Sequence, residues 1–291
     1  MPEMPEVAAL VGFLDRQTKG RRLERVELAS FSALKTVAPP LTGLAGQRVQ
    51  GWTRRGKYLC LHSDLAWLVI HLGRAGWVRW YDGLPATVAS PGRGPIALRV
   101  GLDGSSPTGA PGFDVTEAGT QKRVSFWLVE DPDRIPALAE LGPDPLDPTF
   151  SSESLAQLLT NAPGTVKAAL TRQSLVAGVG NAYSDEVLHA ARISPFQAAS
   201  KLSPDQVEAL HRALVELLGG AVAELANSAA ADLKGEKRQA MRVHGQTGNP
   251  CPVCGDTIRE VAYANRSLQY CPSCQTGGRQ LADRRLSRLL K

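Results

Sequence analysis

The 291-residue chain has no apolar run long enough to cross a bilayer. Its longest runs, such as residues 66–70, fall far short of the ~18–20 residues a spanning helix needs, which excludes a helical membrane protein. Nor is a secretory leader expected. The opening Met-Pro-Glu-Met-Pro-Glu is acidic and broken by proline, where a leader needs a basic start and an apolar stretch. Cysteine is scarce and odd in number, with Cys60 alone and then Cys251, Cys254, Cys271 and Cys274. That count argues against a disulfide framework and for a reducing, cytoplasmic location. There is no internal repeat and no low-complexity tract. Apolar material is not lacking: 43% hydrophobic and 21% charged residues suffice for a buried core and rule out a mainly disordered chain. The length suggests about two domains.

Lysine is the other scarce residue. Of 33 basic residues only nine are lysine, leaving 33 − 9 = 24 arginines, whose planar fork suits phosphate oxygens. The charge is unevenly placed. Residues 234–291 hold eleven basic and four acidic side chains, a net +7. The rest then carries 22 − 24 = −2, to give the overall +5. A basic carboxy-terminal module reads as a nucleic-acid footprint, with a merely solvated surface as the alternative.

Residues 6–20 have helical spacing at Val7, Leu10, Val11 and Leu14, with Gly20 as the stop. Short β-type runs follow at 22–29, 48–62, 66–72, 77–81, 96–102, 113–116 and 123–130, punctuated by Gly, Pro, Asp and Ser. This texture predicts a sandwich or barrel, with loops at 84–95 and 105–112. Prolines 143, 145 and 148 interrupt both ladder and helix and mark a boundary. Beyond them the pattern is helical at 152–159, 165–172 and 181–192. Ser203-Pro204-Asp205-Gln206 is a capping box opening a helix toward Leu217 and on to Leu225. The fold class is therefore multidomain α+β. Residues 1–141 form an N-terminal β-sandwich with a leading helix, 142–149 a linker, 150–240 a helical domain and 241–291 a metal-binding finger.

Cys251-Pro-Val-Cys254 and Cys271-Pro-Ser-Cys274 enclose sixteen residues. Two such knuckles present four thiolates, which close a tetrahedron around one structural Zn²⁺ with no open position. A redox pair would not need the second knuckle. The intervening residues predict a β-hairpin of 257–263 and 268–270, turning at 264–266. Cys60, in a strand-like Tyr-Leu-Cys-Leu, reads as an inert core residue.

These features occur together with an ordered set of motifs. They are Pro2-Glu3-Met4-Pro5-Glu6-Val7, Arg54-Arg55-Gly56-Lys57-Tyr58-Leu59, His71-Leu72-Gly73-Arg74-Ala75-Gly76 and Leu141-Gly142-Pro143-Asp144-Pro145-Leu146. Further on come Val176-Ala177-Gly178-Val179-Gly180-Asn181 with Tyr183 and Glu186, and Arg266 ahead of Cys271 with Gln275 after Cys274. In this order the chain resembles the formamidopyrimidine-DNA glycosylase / endonuclease VIII family of base-excision repair enzymes over nearly its whole length.

The resemblance implies a helix–two-turn–helix segment in the helical domain. It also implies a bifunctional DNA glycosylase and abasic-site lyase acting as a monomer on double-stranded DNA that carries a damaged base or abasic site. Pro2, exposed by removal of Met1, would be the nucleophile, because a secondary amine forms a cationic iminium that drives β-elimination. Glu3 would move protons beside it, and Lys57, in mid-strand, would bind the phosphate next to the lesion. Glu6 caps the first turn and in the family also lies near the site. His71, Asn181 and Arg266 carry over as phosphate ligands. The family fills the gap left by the flipped nucleotide with Met, Arg and Phe side chains; here those positions are Arg74, Arg123 and Val124. The lesion-covering loop would fall near 229–242, short and poor in glycine. Oxidised purines, modified pyrimidines and abasic sites all stay open as substrates. A non-catalytic binder of distorted DNA is the alternative function.

Overall fold

A computed structural model describes residues 1–281 apart from 93, 105–106, 108, 229, 232, 234–239 and 264–266. The chain divides into two compact units, Met1–Glu140 with Val222–Lys234, and Leu141–Ala221 with Gly235–Lys291.

The first unit begins with α1 (Met4–Thr18) and continues with β1 (Leu23–Leu28), β2 (Val49–Arg55), β3 (Tyr58–Ser63), β4 (Trp67–His71), β5 (Gly76–Tyr81), β6 (Ile96–Leu102), β7 (Gly112–Glu117) and β8 (Ser125–Val129). These strands form two antiparallel four-stranded sheets, ordered β1-β6-β7-β5 and β2-β3-β4-β8. Alternation of side chains sets the inner face. Leu59 pairs with Ile70 and Leu61 with Leu68, while Leu68 pairs with Leu128 and Ile70 with Phe126. All six side chains are buried in one cluster with Leu98, Val100, Phe113 and Val115 of the other sheet. Trp52 meets Phe113 edge-to-face at 5.9 Å and joins the two layers. Across β6 and β7 the buried Arg99 guanidinium makes a fork to Asp114 at 2.7 and 2.8 Å. That pair fixes register where an unpaired charge would be costly.

The expected run at 48–62 is two strands, not one. Arg55 pairs with Tyr58, so Gly56 and Lys57 form a two-residue hairpin loop. Gly56 has φ +54°, the conformation such a loop favours with glycine first. Lys57 therefore sits in a turn rather than in mid-strand.

Residues 222–234 return to this unit. Leu225, Ala230 and Leu233 are buried in its core, and Trp77 Nε1–H donates to Ala230 O at 2.7 Å. Arg16 also donates to Ala226 O at 3.1 Å.

After α2 (Pro136–Ala139), the second unit contains α3 (Ser152–Thr160), α4 (Val166–Thr171) and α5 (Asn181–Ala190). Next come the body of α6 (Pro204–Leu225), the hairpin β9 (Arg259–Ala262) and β10 (Ser267–Tyr270), and the short α7 (Pro272–Thr276). Side-chain caps satisfy otherwise orphaned amides at helix starts. Thr165 Oγ1 accepts from Ala168 N, and Ser203 exchanges hydrogen bonds with Gln206. α6 runs unbroken through Gly219-Gly220 although each glycine costs a helix about 1 kcal/mol. Its buried apolar stripe, including Leu210, Leu214 and Leu218, supplies the compensation. No helix of the described residues is long and apolar enough to cross a membrane.

Candidate active site and nucleic-acid interface

In the first unit, the chain start is built into the fold. Met1 is half exposed at 52%, whereas Pro2, Glu3, Met4, Pro5 and Glu6 behind it are all buried. Glu3 is the N-cap of α1, and its backbone N–H donates to Glu6 Oε2 at 2.6 Å. A first-turn carboxylate is favoured there by the helix dipole.

The docking of α1 fixes where this end points. Trp52 N–H donates to Asp15 Oδ1, Trp52 Nε1–H to Thr18 Oγ1 and Gly20 N–H to Val49 O, each at 2.8 Å. Asp15 and Thr18 meet Trp52, and Gly20, two residues past the helix, meets the earlier Val49, so the chain through α1 runs antiparallel to β2. From Asp15 back to Glu3 the helix rises about 18 Å. From Trp52 forward to Lys57 the strand advances about 17 Å. Pro2 and Glu3 thus lie toward the end of the unit that holds the Gly56-Lys57 turn.

Lys57 is only 6% exposed. His71 ends β4 opposite Tyr58, with the two rings 4.8 Å apart. Burial, reinforced by the charge of Lys57, pushes the imidazole down to about 4. His71 is therefore neutral at pH 7, with a ring N–H to donate rather than a charge. The sign of the linkage follows from that shift. The folded state resists a proton that the unfolded chain accepts near 6.5, so stability is lost as pH falls from 6.5 to about 4. The loss is on the order of 3 kcal/mol for a shift of this size. Denaturant titrations of His71→Gln should show a flatter profile across that window, and an unchanged slope would contradict it. Cys60 is fully buried, and burial pushes its thiol to about 12, which leaves it unreactive.

Arg74 and Arg123 are both exposed, on loops that touch. Gly73 has φ +57°, and a Cβ there would lie 2.8 Å from the Arg123 carbonyl carbon. Only glycine permits this approach. Val124, the position expected to hold a wedge, points inward instead. It is 3% exposed and packs against Gly76, where a Cβ would come within 2.6 Å of its methyl. The cause is Glu117, a buried residue that sequence reading missed. One carboxylate oxygen accepts from Arg123 N at 2.5 Å and Val124 N at 3.0 Å. This clamp turns Arg123 out and Val124 in. Glu117→Ala should orphan both amides and cost about 2–3 kcal/mol in a urea melt; a loss under ~0.5 kcal/mol would deny the clamp.

In the second unit, Asn181 is the first helical residue of α5, and its Nδ2 donates to Ser267 O of β10 at 2.8 Å. Gln173 braces the preceding turns: its Nε2 donates to Thr171 O and Val179 O, and its Oε1 accepts from Gly178 N. Lys167 is buried and donates to Asn181 O, Ser184 Oγ and Asp185 Oδ1. Asp185 Oδ2 meets His244 Nδ1 at 2.8 Å and accepts from Gln269 N. Glu186 accepts the backbone N–H groups of Arg242, Val243 and His244 at 2.8–3.0 Å. Burial nevertheless raises its carboxyl above the usual range. Of the residues in these ties between α5 and the finger, Asn181 and Glu186 belong to a motif read from the sequence, while Lys167, Asp185 and His244 belong to none.

The four cysteine sulfurs lie within 4.8 Å of one another. Three of the separations are 3.9, 3.4 and 3.5 Å, far from the ~2.05 Å of a disulfide. They are close to the ~3.8 Å edge of a tetrahedron with Zn–S near 2.3 Å. The donor set and spacing fit one structural zinc ion. Arg266 and most of the expected lesion loop (229, 232 and 234–239) lie outside the described residues.

A helix-led β-sandwich, a helix–two-turn–helix segment and a four-cysteine finger in one chain define the class. Family models match in the same order: the formamidopyrimidine-DNA glycosylase N-terminal domain over residues 1–118, its H2TH domain over 141–231, and the zinc finger found in FPG and IleRS over 248–277. A formamidopyrimidine-DNA glycosylase of Exiguobacterium sibiricum is 33% identical over 94% of this chain and 99% of its own length. An uncharacterised formamidopyrimidine-DNA glycosylase-like protein of Mycobacterium tuberculosis is 58% identical over 151 residues, 52% of this chain and 94% of that protein. Among solved structures, the Lactococcus lactis glycosylase bound to DNA with an abasic site superposes with a TM-score of 0.80 at 27% identity, over 94% of this chain and 99% of that one. The chain belongs to the formamidopyrimidine-DNA glycosylase family, DNA glycosylases of base-excision repair.

Proposed function

We propose that the protein excises a damaged base from double-stranded DNA and cuts the resulting abasic strand through an iminium formed by Pro2. The observation that carries this reading is the chain start. Met1 alone is exposed ahead of a buried Pro2-Glu3 pair anchored to α1. Loss of Met1 turns the Pro2 nitrogen into a secondary amine. That nitrogen attacks C1′, the glycosidic bond breaks, and the base leaves with the bonding electrons and a proton. Glu3 protonates the sugar ring oxygen, the ring opens, and the amine proton is lost as the iminium forms. The iminium then accepts the electrons of the C2′–H bond as a base removes that proton. The 3′-phosphate departs by β-elimination, and water releases Pro2.

Lys57 would neutralise the phosphate beside the lesion, with His71 donating an N–H. Asn181 and Arg266 would hold further phosphates, and Arg74 and Arg123 would enter the space vacated by the flipped nucleotide. With Val124 buried, guanidinium groups rather than a flat apolar wedge meet the bases. DNA as partner is supported by the complexes of the Lactococcus lactis relative with abasic-site and Fapy-dG DNA. A monomer in the cytoplasm agrees with a single nucleophile per chain and a reducing compartment for the thiolates.

The altered gap-filling residues favour one other reading, a binder of distorted DNA without chemistry. Borohydride reduction separates the two. A covalent adduct on abasic or damaged duplex is expected. Tight binding with no adduct on any lesion would leave the binder.

A further inference from the structure

We propose that His189 is an outer partner of the zinc site, donating a hydrogen bond from Nε2 to the Cys251 thiolate and tying metal retention to α5. The inference rests on the four-cysteine zinc site and not on the glycosylase chemistry.

His189 is 3% exposed, and its Nε2 lies 3.3 Å from Cys251 Sγ, within hydrogen-bonding reach of sulfur. A zinc-bound thiolate can only accept, so the ring must carry its proton on Nε2. The electrostatic need is plain. Four thiolates around Zn²⁺ leave a net charge of −2, and Cys251 and Cys271 sit in an apolar cluster with Val243 and Ile258. A donor aimed at one sulfur draws off part of that charge without displacing a ligand. Such contacts typically alter metal affinity by about 10–100-fold.

The position of His189 adds a second argument. Asn181, Asp185 and His189 follow an i, i+4, i+8 spacing and form one stripe of α5. Each residue on it reaches the finger at a different place: Asn181 at Ser267 O, Asp185 at Gln269 N and His244, and His189 at a metal ligand. The metal thereby holds the far end of the helix whose first residue is Asn181. A His used only for packing would not need a ring nitrogen facing sulfur.

Two full-length variants test this. His189→Phe keeps a flat ring and removes the donor, while His189→Gln keeps an N–H. Zinc release into a metallochromic chelator should be about 10–100-fold faster for His189→Phe, with most of the retention restored in His189→Gln. In the cobalt-substituted protein, the thiolate-to-metal charge-transfer band of His189→Phe should move to lower energy. Equal release and an unmoved band in His189→Phe would overturn the assignment, as would equal zinc loss from both variants. A measurement on the unaltered chain guards against a variant that fails to fold. With ¹¹³Cd in place of zinc, the His189 Hε2 proton should show scalar coupling to the metal through sulfur, and absence of coupling would also overturn it.

Discussion

With Pro2 replaced by glutamate, borohydride trapping on abasic duplex is expected to fall by on the order of a thousand-fold or more. The substitution acts twice. A bulky second residue blocks removal of Met1, and the secondary amine itself is gone. Glycine at the same position is milder, because it allows removal of Met1 and leaves a primary amine, so trapping weakens rather than vanishes. Residue 2 precedes α1 and makes none of its backbone hydrogen bonds, so glycine leaves the helix intact, whereas a glutamate at this buried position is checked by far-UV circular dichroism before its trapping is read. Intact-mass measurement of each purified variant shows whether Met1 is present. Undiminished trapping by a Pro2→Glu protein that retains Met1 would place the nucleophile elsewhere.

The second large effect is expected from stripping the metal. Among the described residues the finger has two small apolar clusters, Val243 with Ile258 and two cysteines, and Val261 with Leu268 and Tyr270. Cores of that size do not fold unaided. Structural zinc contributes on the order of 10–16 kcal/mol to comparable fingers. Chelation should therefore abolish amide protection in β9 and β10 and release one zinc per chain, while the strands of the two four-stranded sheets keep theirs. Hydrogen exchange reads both regions at once. A protected hairpin in metal-free protein would show that its apolar contacts suffice.

The zinc ligands are legible in the sequence because each knuckle is a local covalent spacing. So are most strands, since β-branched and aromatic residues alternate between turn signals. The turn that holds Lys57 is illegible for a local reason of opposite kind. The conformation of Gly56 creates it, and composition alone does not reveal a positive φ. The inward aim of Val124 depends on Glu117, which lies across a loop and has no motif of its own. Asp185, His189 and Lys167 are hidden in the same way. Their partners are distant in sequence, so only tertiary placement turns ordinary helix residues into a network. The return of residues 222–234 to the first unit is illegible too, because an apolar stretch at a helix end does not say which core it joins.

That returning segment changes how the molecule can be cut. A fragment ending at residue 140 contains every strand of both sheets, yet it would lack Leu225, Ala230 and Leu233. It would also strip the Trp77 indole of its acceptor and leave a greasy notch open to water. Such a truncate should aggregate on expression. A gene shortened to that point therefore disables the sandwich even though it spares β1–β8.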